Sequence, residues 1–152
     1  STISGMLNGT GKSIAIVACR FNSIIVDRLI SGAQDTLVRL GVDAEALTLF
    51  RVPGAWELPM VCRRVVRKGS FDAVLALGCV IRGGTDHYDH VAREAATGLA
   101  QVALESEIPV VFGVLTCHTL DPAIERAGGK VGNQGSSAAL TALELISLLE
   151  HI

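Results

Sequence analysis

A chain of 152 residues with a formal net charge of −2 and an isoelectric point near 6.0 has the size of one domain and lacks the basic footprint of a nucleic-acid-binding protein. Hydrophobic residues make up 49% of it and charged ones 18%. No apolar run approaches the ~18 residues a membrane span needs, so the apolar excess is expected between the subunits of an oligomer.

Residues 1–12 are small and polar apart from Ile3, Met6 and Leu7, and read as an arm with one short strand that pairs with a sheet edge. Residues 13–152 are expected to form a single domain. The start of the chain has neither a basic nor a long apolar segment, so a secretory signal is not expected. The four cysteines, Cys19, Cys62, Cys79 and Cys117, stand singly with no C-x-x-C pair. They fit reduced thiols in the cytoplasm, or in a plastid had a transit peptide been removed.

Ile14–Cys19 is a continuous apolar run suited to a central strand. Asn22 or Ser23 is expected to cap a helix with the stripe Ile25, Leu29, Ala33 and Leu37, which Gly41 stops. A second strand is expected from Ala44 to Phe50. A type II bend follows at Pro53-Gly54, then a helix that buries Leu58, Val61, Cys62, Val65 and Val66 and turns Arg63, Arg64, Arg67 and Lys68 to water. A third strand, Ala73–Cys79, leads to a long helix from His87 to about Glu105, and Pro109 opens a fourth strand through Leu115. A short helix from Thr119 or Asp121 ends at Gly128-Gly129, and a final helix runs from about Gly135 to Glu150. Alternating strands and helices imply a three-layer α/β/α sandwich around a four-stranded parallel sheet, flavodoxin-like in kind.

In such sheets ligands sit beyond the carboxyl ends of the strands. Those ends carry Phe21, then Ala55, Trp56 and Glu57, then the loop Arg82–His87. Phe21 and Trp56 can stack on a polar ring while Glu57 accepts its hydroxyls, although Trp56 reads equally well as a plug over the core. Gly83 and Gly84 ahead of a helix start suit an anion, and so does a plain strand-to-helix turn. Gly84 stands where a P-loop would have its lysine, which disfavours a nucleotide hydrolase. His87 suits proton transfer or a helix cap. With His90, Asp86 and Asp89 it supplies no convincing full ligand set, so no metal is expected.

The motifs Arg20-Phe21-Asn22, Val52-Pro53-Gly54-Ala55-Trp56-Glu57-Leu58-Pro59 and Gly78-Cys79-Val80-Ile81-Arg82-Gly83 through His87 resemble the lumazine synthase family. So do Phe112-Gly113-Val114-Leu115-Thr116, Glu125-Arg126-Ala127-Gly128 and the following Lys130, Gly132, Asn133 and Gly135. The match spans Ser13 to the C-terminus in the correct order. It implies condensation of 5-amino-6-(D-ribitylamino)uracil with 3,4-dihydroxy-2-butanone 4-phosphate to give 6,7-dimethyl-8-ribityllumazine, phosphate and water, without cofactor or metal. By matching position it implies that Phe21 and Trp56 stack on or flank the pyrimidine, that Ala55 binds substrate and that Glu57 holds the ribityl hydroxyls. The backbone of Cys79, Val80 and Ile81 then bonds the uracil edge; Gly84, Thr85 and Arg126 bind phosphate; His87 relays protons. Phe112 and Arg126 enter from a neighbouring subunit of a pentamer, and the uninserted stretch Gly128–Gly135 implies a sixty-subunit icosahedral shell, with riboflavin synthase as a partner. Gln134 stands where many relatives have lysine.

Three rivals differ in chemistry. An archaeal-type riboflavin synthase would have no phosphate to release. A flavodoxin-type binding module would carry a Ser/Thr/Gly-rich loop after the first strand, which Arg20-Phe21-Asn22-Ser23 is not. A shell protein with vestigial catalysis differs only in an assay.

Overall fold

The computed structural model describes residues 1–84 and 87–152. Four parallel strands form the central sheet: β1 (Ile14–Cys19), β2 (Leu47–Val52), β3 (Ala73–Ile81) and β4 (Val110–Cys117), in the order β2-β1-β3-β4. All six residues of β1 are buried, as are Ala73–Cys79 of β3, because both strands are covered on two faces. Helices α1 (Ser23–Arg39) and α5 (Gln134–Leu149) pack together on one face of the sheet, α2 (Leu58–Lys68) and α3 (His87–Glu105) on the other. This is the expected three-layer α/β/α sandwich with the flavodoxin-like strand order.

The helix stripes follow the sequence pattern. Ile25, Leu29, Ala33 and Leu37 are fully buried, each leucine worth ~1.5–3 kcal/mol of apolar transfer. Gly41 ends α1 in the left-handed region at φ 105°, where the Val42 N–H reaches back to the Leu37 carbonyl. Helices α1 and α5 touch backbone to backbone at Gly135, where any β-carbon would fall on the Leu29 carbonyl. Asn133 locks that contact: its Oδ1 accepts the Ser136 N–H at 3.1 Å, capping α5, while its Nδ2 donates to the Arg28 carbonyl at 3.0 Å.

Several local expectations are corrected. Residues 1–9 make no strand; the arm lies along α5, with the Met6 N–H on Ser147 Oγ at 2.9 Å and Lys12 paired to Glu150 at 2.7 Å. Ala44–Ala46 is a 3-10 turn rather than strand, because the Asp43 carboxylate accepts the Glu45 N–H and offers the backbone a local bond. Pro53-Gly54 is not a type II bend, since Gly54 is extended at φ −154°. The Arg20 and Phe21 N–H groups bond the Val52 and Pro53 carbonyls and keep the segment running beside the end of β1. Beyond the short helix α4 (Leu120–Glu125), Gly128-Gly129 belongs to a small antiparallel ribbon, β5 (Ala127–Gly129) with β6 (Gly132–Asn133).

Candidate active site

The strand order reverses direction between β1 and β3, and a cavity of about 490 Å³ opens there beyond the strand ends. Phe21 follows β1. Ala55, Trp56 and Glu57 form a 3-10 turn between β2 and α2. Cys79, Val80 and Ile81 end β3, and His87 is the first residue of α3. The structure brings all eight to this one cavity.

Phe21 is 72% exposed and Trp56 52%, so neither aromatic plugs the core. Both rings stand in the wall with apolar area to cover. Trp56 is backed by His90, ring centroids 5.5 Å apart and planes inclined 29°. The Glu57 Oε1 accepts the Gly54 N–H at 2.9 Å, which anchors the carboxylate at the cavity mouth. Burial pushes the Cys19 and Cys79 thiols up to about 12; at Cys19 the Glu57 carboxylate adds to the shift. Both line the cavity protonated, so neither supplies a thiolate nucleophile.

The remaining expectations fall elsewhere. Of the two loop glycines Gly83 takes positive φ, 58°, and a β-carbon on Gly83 or Gly84 would meet no protein atom within 4 Å. Gly84 is exposed and does not line the cavity, and Thr85 lies outside the described residues. Phe112 is on the edge strand β4, in an apolar groove of about 170 Å³ with Leu99, Ala100 and Val110. Arg126 donates from Nη1 to the Pro122 carbonyl at 3.0 Å. Neither reaches the cavity of its own chain. Arg82 of the expected loop lines it too, as do Tyr88 and Val91, which the sequence did not mark as site residues. Their place beside His87 and at the end of β3 was the available signal.

The model of the 6,7-dimethyl-8-ribityllumazine synthase family matches residues 11–150. This chain belongs to that family. A 6,7-dimethyl-8-ribityllumazine synthase of Desulfovibrio desulfuricans is 51% identical over 151 residues, which cover 99% of this chain and 97% of the relative. One of Nitratidesulfovibrio vulgaris is 51% identical over the same shares. No helix among the described residues is long and apolar enough to cross a membrane.

Proposed function

We propose that the chain catalyses the family's condensation of 5-amino-6-(D-ribitylamino)uracil with 3,4-dihydroxy-2-butanone 4-phosphate, giving 6,7-dimethyl-8-ribityllumazine in riboflavin biosynthesis. The observation that carries this reading is the convergence of Phe21, Trp56, Glu57 and His87 on one cavity at the switch point. The pyrimidine lies between the Phe21 and Trp56 rings beside Ala55, with its polar edge on the backbone of Cys79, Val80 and Ile81. The ribityl hydroxyls reach Glu57. The 5-amino group of the pyrimidine attacks the ketone carbonyl and water leaves; loss of a proton and of the phosphate follows, and the ribitylamino nitrogen then attacks the carbonyl so formed and expels a second water to close the ring. His87 moves the protons, and holding two reactants together supplies much of the rate.

The phosphate is bound at Gly84 and Thr85, ahead of the amino end of α3, and by Arg126. That Arg126 and Phe112 do not line the cavity of their own chain supports the reading that they serve a neighbour's. Apolar exposure along β4 and α3, including Phe112 at 44%, supports a pentamer with the site between subunits. The short β5–β6 ribbon between α4 and α5 supports a sixty-subunit shell; riboflavin synthase as a partner and the cytoplasm as the compartment rest on the family resemblance alone.

The test is an assay with both substrates, following lumazine absorbance. Product is expected, and Arg126→Ala should lower kcat/KM by about tenfold to hundredfold, the size of a charged hydrogen bond. A folded oligomer that makes no product overturns the reading; sedimentation as free pentamers overturns the shell.

A further inference from the structure

Strand β3 outruns its partner on one side. Its pairing with β1 ends at Ala18 opposite Leu77, whereas its pairing with β4 continues to Ile81 opposite Cys117. Past Leu77 the β1-facing edge of β3 therefore has no strand beside it, and that is where the cavity opens. Asn22 occupies the first vacant place: its Nδ2 donates to the Cys79 carbonyl at 2.8 Å.

Both the backbone and the side chain of Asn22 are committed to this reach. It is the one non-glycine residue with positive φ among the described residues, at φ 62° and ψ 44°. It stands at the N-cap of α1, where asparagine ordinarily accepts a helix N–H through its side chain, yet it makes no such bond. Only its carbonyl serves the helix, accepting the Ile25 and Val26 N–H groups, both at 3.0 Å.

Along a strand, alternate residues direct their backbone groups to the same side. The Arg82 N–H bonds the Cys117 carbonyl on the β4 side, so Ile81, like Cys79, faces the cavity side. We infer that Asn22 is a positioning residue: it stands in for the missing stretch of β1, fixes the Cys79 carbonyl, and thereby aims the Ile81 N–H and carbonyl, two residues on, at the polar edge of the pyrimidine substrate, while Val80 turns its own backbone groups to β4. This rests on the reading of the site as a ribitylaminouracil pocket, and extends it to a residue that acts through the backbone of β3.

Two variants separate the side chain from the backbone. Asn22→Gly tolerates positive φ and removes only the amide. Asn22→Asp keeps the shape but sets a carboxylate against a carbonyl. In both, KM for the ribitylaminouracil should rise about tenfold, the effect of one ordinary hydrogen bond. The rise should be larger for Asp, with kcat within about threefold and KM for the butanone phosphate unchanged. Amide hydrogen exchange over residues 79–82 of the assembled Asn22→Gly protein should quicken about tenfold, while the melting midpoint stays put. An unchanged KM in Asn22→Gly, or equal rises for both substrates, overturns the proposal. Were the parent enzyme itself to make no lumazine, the ribitylaminouracil reading would fall on that result alone. The exchange measurement would still decide whether Asn22 holds the end of β3, and unchanged exchange would sink it.

Discussion

The Trp56 indole lies against the His90 ring, 5.5 Å between centroids at 29°. One residue comes from the turn before α2 and the other from the first turns of α3, so the contact ties together two helices at the cavity mouth. It also backs the indole in the cavity wall, where the proposed pyrimidine would stack. Trp56→Phe should therefore keep stacking and change KM for the pyrimidine by less than about threefold, while Trp56→Ala should raise it at least tenfold. Equal KM values for the alanine variant and the parent would remove Trp56 from the site.

His87 is exposed at the start of α3 and lines the cavity, so its loss should affect proton transfer and not packing. His87→Gln is expected to lower kcat by about a hundredfold, the lower end of what a positioned acid–base group supplies, with little change in melting. A drop below threefold would mean that orientation alone carries the reaction.

The buried thiols set an alkaline limit on stability. Cys62 is fully buried, and burial pushes its thiol up to about 12 from the usual 9.0. Below pH 9 both folded and unfolded chains keep that proton, and the stabilisation is whole. As pH rises from 9 towards 12 the unfolded chain loses the proton first, so stability falls by about 1.4 kcal/mol per pH unit for each such thiol. The urea midpoint should drop between pH 8 and pH 10.5; a flat profile contradicts the assignment. At pH 8 an aromatic disulfide reagent should label the native protein slowly and all four cysteines in urea.

Gly135 tests the seam between α1 and α5. Because a β-carbon there would fall on the Leu29 carbonyl, Gly135→Ala should destabilise by about 1–3 kcal/mol, although alanine is the better helix former. Calorimetry showing a stabilised variant would mean that the helices can part freely.

Lys12 and Glu150 pair across the arm and the end of α5, and their shifts define a window. The hydrogen bond to Glu150 raises Lys12, and that stabilisation is lost as pH rises above the usual lysine range. The same bond lowers Glu150, and that part is lost as pH falls below the usual carboxylate range. Lys12→Ala should loosen the arm, seen as faster exchange at Met6–Gly9, and leave the melting midpoint within a degree.

The sequence by itself determined the sheet-and-helix alternation, the buried faces and the residues gathered at the strand ends. Those features are local: six apolar residues in a row at Ile14–Cys19, or apolar positions three and four apart, encode burial whatever the neighbours do. It also carried the family through motifs in order. Only the tertiary structure decided what non-local bonds decide. The Pro53-Gly54 segment is extended because β1's continuation holds it there, against its own turn propensity. Asn22 leaves its expected capping bond because a carbonyl 57 positions away in β3 lacks a strand partner. Phe112 sits away from the cavity because it lies on the edge strand β4 in a groove with Leu99, Ala100 and Val110, and Arg126 because it ends α4 with its guanidinium on the Pro122 carbonyl.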